Sequence, residues 1–134
     1  MNEVSRNFLV EDFHSTSGLL RALNLDPSDF QIKRIYWISK VPHGETRGMH
    51  AHKHLRQIFV CLTGQLSVKF DDGKETSVFV LDEKANCITV EPGLWRELYN
   101  FSQDSVLLVL CDEVYDEQDY IRDYEEFIRW KAAK

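Results

Sequence analysis

Seven short runs rich in β-branched and aromatic residues constrain this chain more than any other feature. They are Ile32–Ser39, Leu55–Leu62, Gln65–Phe70, Ser77–Leu81, Cys87–Val90, Arg96–Asn100 and Val106–Cys111. Turn residues separate them: Pro42-His43-Gly44, Thr63-Gly64, Asp71-Asp72-Gly73, Glu91-Pro92-Gly93 and Ser102-Gln103-Asp104. Runs this short, closed this often, suit strands and not helices. Asp72-Gly73 between two alternating runs signals a hairpin. The spacing predicts an all-β sandwich or barrel. The tail follows another period: Ile121, Tyr124, Phe127, Ile128 and Lys131 recur at helical intervals within Asp119–Lys131. This predicts a C-terminal helix on the outside of the β structure. Ser17–Leu25 fits a short helix or an irregular strand, and its pattern does not choose.

With 134 residues, the chain suits a single domain over 1–134. Sixteen Lys and Arg face 22 Asp and Glu, for a net charge of −6. That balance, without a basic run, argues against general nucleic-acid binding. It still permits a locally basic pocket for a small anion. Cys61, Cys87 and Cys111 each lie in an apolar run and form no CxxC, so they read as buried small hydrophobes. The first residues lack the apolar core of a signal peptide, and no apolar run reaches the ~20 residues of a membrane span. The expectation is a soluble, cytoplasmic protein without membrane contact.

Three of the five histidines fall in Gly48-Met49-His50-Ala51-His52-Lys53-His54. On an extended strand, His50, His52 and His54 would share a face. The wider spacing of Gly44, His50, His52, Gln57 and Gly64 resembles the first signature of the cupin superfamily. Glu91-Pro92-Gly93-Leu94-Trp95-Arg96-Glu97-Leu98-Tyr99-Asn100 resembles the second. Together they imply a cupin jelly-roll barrel. Two ligand positions depart from a metal-binding cupin, with Gln57 for the usual glutamate and Arg96 for the usual histidine. A neutral amide and a permanent cation make a poor metal site, so no metal is expected. Imidazoles beside an arginine suit proton abstraction next to a carbonyl instead.

Longer strings carry a closer resemblance. They are Gln31-Ile32-Lys33-Arg34-Ile35-Tyr36, Arg47-Gly48-Met49-His50-Ala51-His52-Lys53, Pro92-Gly93-Leu94-Trp95-Arg96-Glu97 and Tyr115-Asp116-Glu117-Gln118-Asp119-Tyr120-Ile121-Arg122-Asp123-Tyr124-Glu125-Glu126-Phe127. From about Phe30 to Trp130 the chain resembles the nucleotide-linked 4-keto-6-deoxyhexose 3,4-ketoisomerases, the FdtA/QdtA or WxcM-like family. The resemblance implies a cofactor-free enzyme acting on dTDP-4-keto-6-deoxy-D-glucose. It also implies a dTDP-3-keto-6-deoxyhexose product destined for surface polysaccharide, and a homodimer with exchanged N-terminal strands.

By that resemblance His50 and His52 are the expected acid–base pair. Tyr36, on the same face as Arg34 by alternation, is a proton relay or sugar-orienting residue. Arg34, Arg47, Lys53 and Arg96 are expected to hold the pyrophosphate, and Gln57 completes the pocket. Trp95 reads as pocket lining or core packing. Glu97 reads as orienting a histidine or pairing with Arg96, and His54 as peripheral. The segment Ser15-Thr16-Ser17-Gly18-Leu19-Leu20 departs from the charged Asp-x-Arg-Gly-x-Leu string of many members. Competing readings are a 3- or 3,5-epimerase on the same 4-keto sugar and a non-catalytic sugar-nucleotide-binding cupin.

Overall fold

A computed structural model describes residues 4–5 and 10–134. In chain order its strands are β1 (Val4–Ser5), β2 (Val10–Ser15), β3 (Gly18–Leu23), β4 (Arg34–Ser39), β5 (Arg47–His52) and β6 (Gln57–Thr63). There follow β7 (Leu66–Asp71), β8 (Thr76–Leu81), β9 (Cys87–Val90), β10 (Trp95–Tyr99), β11 (Val106–Cys111) and β12 (Tyr120–Ile121). One helix, α1 (Tyr124–Ala132), ends the chain. Two five-stranded sheets form, in the orders β1-β9-β6-β11-β4 and β12-β5-β10-β7-β8, while β2 and β3 pair with each other. Every pairing among the described residues is antiparallel. The architecture is the all-β jelly roll expected, with its C-terminal helix.

Alternation explains the core. Phe59, Cys61, Ile88, Val90, Leu107 and Val109 point inward from the first sheet and meet Leu66, Val68, Phe70 and Leu98 of the second. Burying such apolar side chains contributes about 1.5–3 kcal/mol each. All three cysteines are buried and free, as small hydrophobes in strands should be. The Asp72-Gly73 turn joins β7 to β8. Asp72 Oδ1 accepts from the backbone N–H groups of Lys74 and Glu75, both at 2.9 Å, and Gly73 takes φ +94°.

One segment resolves an open expectation and two others differ from theirs. Ser17–Leu25 contains strand β3, whose hairpin partner β2 lacks a legible alternation. The histidine segment is itself a full strand, β5, although few of its residues are apolar. The helix begins at Tyr124 and not at Asp119, because Asp119 closes a 3₁₀ turn (Glu117–Asp119) and Tyr120-Ile121 pair with His52 and Ala51. Asp123 then caps α1, its side chain accepting from the Glu126 N–H at 3.0 Å. The helix buries Phe127 against Ala51, Trp95 and Ile121, covering the outer face of β5 and β10.

The outer face of the first sheet is covered only in part. Ile58, Val60, Cys87 and Leu110 pack with Phe30 and the base of the β2–β3 hairpin. Farther along, Ile35, Trp37 and Leu62 remain exposed, Trp37 by 67%. Phe13, Leu19 and Leu20 on the hairpin are exposed too. Among the described residues no helix is long and apolar enough to cross a membrane.

Candidate active site

A cavity of about 500 Å³ opens between β4 of one sheet and β5 and β10 of the other. His50, Tyr36, Arg34, Arg47, Arg96 and Arg122 line it, together with Tyr120, Phe59 and Leu98. Among the described residues, four guanidinium groups and no carboxylate face this space, inside a protein of net charge −6. The pocket is therefore a local basic field suited to an anion.

Strand alternation brings Arg34 and Tyr36 of β4 to the cavity, with the Arg34 Cζ 4.8 Å from the Tyr36 ring centre. On β5 a bulge does the positioning. Arg96 pairs with His50 but Leu98 pairs with Arg47, so β5 carries one extra residue here. Gly48 absorbs it at φ +69°, and an added Cβ would come within 3.0 Å of Leu98. The extra residue resets the alternation, so Arg47 and His50 both line the cavity.

His50 and His52 share a face as expected, with their Nε2 atoms 3.1 Å apart. Only His50 reaches the cavity; His52 is buried behind it, 3.0 Å through Nδ1 from Asp119 Oδ2. Tyr120 closes over both rings, with centroid distances of 4.9 and 4.4 Å. Burial first, and then the nearby Arg96 cation, push the His50 pKa down to about 3. The same causes, in the same order, lower that of His52. Both imidazoles are thus neutral near pH 7, and a neutral imidazole is the form that accepts a proton.

Arg96 is 1% exposed and, among the described residues, has no ion-pair partner. Its Nη1 donates to Gln57 Oε1 at 2.6 Å, and its Nε and Nη2 reach the Leu94 carbonyl at 3.4 Å. Burial draws its pKa down to about 10, so it remains a cation. A buried charge without a counter-ion is costly and favours an arriving anion. The other end of the Gln57 amide donates to Tyr36 Oη at 3.2 Å. Tyr36 therefore has its own proton free for another acceptor, and burial, the largest cause, raises its pKa. A divalent ion does not fit this set, because the guanidinium stands where a fourth ligand would be needed and Gln57 offers no charge.

The remaining expected residues fall outside the cavity wall. Trp95 and Glu97 turn to the opposite face of β10, where Trp95 packs with Phe127 and donates through Nε1 to Glu97 Oε2 at 3.2 Å. A strand that points Arg96 inward must point its two neighbours out. Glu97 thus bonds to Trp95 and neither to Arg96 nor to a histidine. Lys53 lies past the end of β5 and is not among the lining residues. Gln57 is buried behind Tyr36 and acts through Tyr36 and Arg96, its Nε2 also reaching Cys111 Sγ at 3.4 Å. His54 sits exposed, beyond the strand that aligns the other two.

Sequence reasoning missed Asp119, Tyr120 and Arg122. All three lie in the unusual string Tyr115–Phe127, which periodicity assigned in part to the helix. Its part before the Asp123 cap forms a strap across the cavity instead. Arg122 pairs with Glu117 through two bonds of 2.8 and 2.9 Å, Tyr115 donates to the same carboxylate, and Arg122 stacks 4.2 Å over the Tyr120 ring.

Known proteins resemble this chain over most of its length. A TDP-4-oxo-6-deoxy-α-D-glucose-3,4-oxoisomerase of Aneurinibacillus thermoaerophilus is 45% identical over 103 residues, 77% of this chain and 74% of that protein. The 3,4-ketoisomerase QdtA of Thermoanaerobacterium thermosaccharolyticum, as a histidine-to-asparagine mutant in complex with TDP-4-keto-6-deoxyglucose, superposes with a TM-score of 0.92. It is 33% identical, over 100% of this chain and 97% of that one. WlaRA of Campylobacter jejuni, a TDP-fucose-3,4-ketoisomerase, gives a TM-score of 0.84 and 32% identity, over 98% of this chain and 96% of that one. The family model described as FdtA, WxcM-like, C-terminal, matches residues 6–132, and the chain belongs to that family.

Proposed function

We propose that this chain, as one unit over residues 1–134, is a cofactor-free 3,4-ketoisomerase. It converts dTDP-4-keto-6-deoxy-D-glucose to a dTDP-3-keto-6-deoxyhexose. The observation that carries this reading is a neutral His50 imidazole in a cavity lined by four guanidinium groups, one of them the unpaired Arg96. The C4 ketone acidifies the hydrogen on C3. His50 takes that proton, and the C3–H electron pair becomes the double bond of an enediolate with its negative charge on O4. Arg96 stabilises that oxygen, a kind of contact worth about 10²–10³-fold in rate. O4 is then protonated, the O3 proton leaves as O3 becomes the ketone, and a proton returns to C4. Carbon and oxygen each lose one proton and gain one, so no oxidant or metal is required. Tyr36 is placed to move the oxygen-borne proton. Arg34, Arg47 and Arg122 serve the diphosphate.

We also propose a homodimer with exchanged N-terminal strands. The exposed Ile35, Trp37 and Leu62 on one sheet face, with Phe13, Leu19 and Leu20 on the hairpin, support it. The setting we propose is cytoplasmic supply of amino-deoxysugars for surface polysaccharide such as lipopolysaccharide. The experiment that tests the function is ¹³C NMR of dTDP-4-keto-6-deoxy-D-glucose incubated with the protein. A carbonyl at C3 supports the reading. A carbonyl still at C4 with inverted C3 or C5 supports an epimerase, and bound but unchanged ligand supports a binding cupin.

A further inference from the structure

Asp119 is the one carboxylate in contact with the histidine pair among the described residues, and nothing in the proposed chemistry yet uses it. Its Oδ1 accepts from the His54 N–H at 2.7 Å and its Oδ2 from the Leu55 N–H at 3.3 Å. These bonds clamp the carboxylate to the turn after β5, with Oδ2 also 3.0 Å from His52 Nδ1. Beyond the ring, His52 Nε2 lies 3.1 Å from His50 Nε2. Each of the two contacts needs one proton between its atoms, and a neutral imidazole carries only one. A carboxylate has no proton to give, so His52 must carry its proton on Nδ1. Its Nε2 then offers a lone pair, so His50 must carry its proton on Nε2. The lone pair of His50 is left on Nδ1. The opposite arrangement would set the lone pairs of His52 Nδ1 and Asp119 Oδ2 against each other at 3.0 Å, in a site from which water is largely excluded.

We infer that Asp119 is a positioning residue that fixes the tautomer of His52 and, through it, of His50. The inference rests on the ketoisomerase reading for its catalytic consequence, although the tautomers themselves do not. When His50 gains a proton, the new imidazolium is held by His52, and the charge is answered by the carboxylate two bonds away.

The test is Asp119→Asn. An asparagine keeps the Oδ1 acceptor for the His54 N–H, which turns its NH₂ toward His52 Nδ1. His52 then has to accept there and donate from Nε2, reversing the chain. Long-range ¹H–¹⁵N NMR of the ligand-free proteins reads the tautomers directly. The expected result is Nδ1–H on His52 and Nε2–H on His50 in the wild type, with both reversed in the variant. With substrate, kcat falls about 10²–10⁴-fold while KM stays within a factor of about two. An Nε2–H tautomer on His52 in the wild type overturns the inference, and it does so even where the variant fails to fold. So does a variant with unreduced kcat. A wild-type protein with the expected tautomers but no isomerase turnover would instead overturn the functional reading and leave the tautomer assignment standing.

Discussion

At the scale of single residues, the site depends on a buried group, Arg96, and a half-buried one, His50, that each carry a solvation cost in the free protein. Arg96 is a cation with amide and carbonyl partners only. Replacing it by methionine keeps the volume and removes the charge that meets the enediolate. Steady-state kinetics on Arg96→Met should show kcat lowered about 10²–10³-fold, and an unreduced kcat would remove Arg96 from the mechanism. His50 carries the other cost. Its pKa is about 3 folded against about 6.5 unfolded. Between those values the unfolded chain binds more protons, so stability rises with pH across that window and is fully present above it. Urea unfolding of the ligand-free protein should therefore show stability falling as pH drops below about 6.5, by at most about 1.4 kcal/mol per pH unit for each imidazole. His50→Asn should flatten that slope, and an unchanged slope would contradict the burial of a neutral His50. The same shift places the acid limb of kcat/KM below the ordinary imidazole range.

At the scale of elements, legibility in the sequence follows how each segment is buried. Strands with one or both faces in the core, such as β6 and β11, show as apolar runs, and their limits are legible to within about two residues. Strand β5 reads Arg-Gly-Met-His-Ala-His because one face lines a polar cavity. Its pattern is therefore one of chemistry and not of hydrophobicity, and only the histidine spacing exposes it. The β2–β3 hairpin leaves most of its residues exposed within one chain, so no core imposes an alternation on it. The strap misleads for a third reason. Ile121 and Phe127 are buried in the same cluster, but they belong to two elements separated by the Asp123 cap. A helical period drawn through both runs across that boundary. The candidate site is legible where the chemistry is on one strand, as with His50, His52, Arg34 and Tyr36. It is illegible where residues 112–123 fold back, because long-range contact leaves no local period. The helix itself is held by packing more than by its nine-residue length. Thermal or urea unfolding of Phe127→Ala should show a loss of about 3–5 kcal/mol. A loss below about 1 kcal/mol would mean that α1 contributes little to the sheet it covers.

At the scale of the whole molecule, the two sheets carry different burdens. In the second sheet α1 covers the outer face of β5 and β10, and the inner face carries His50 and Arg96. The first sheet supplies Arg34 and Tyr36 inward and leaves Ile35 and Trp37 exposed on the same strand, Trp37 also bordering the cavity. A dimer across the first sheet's outer face would therefore bear directly on the strand that lines the cavity. Trp37→Glu should shift the protein from dimer to monomer in sedimentation velocity, and an unmoved dimer would place the interface elsewhere. Both sheets together serve a proton route from C3 to C4 that needs no metal. Proton NMR of dTDP-4-keto-6-deoxy-D-glucose with chelator-treated protein in D₂O tests it most directly. The expected product is a 3-keto sugar with deuterium at C4, formed at an undiminished rate. Turnover that vanishes on chelation and returns with a divalent ion would contradict it, as would deuterium confined to C3 or C5 with the ketone still at C4.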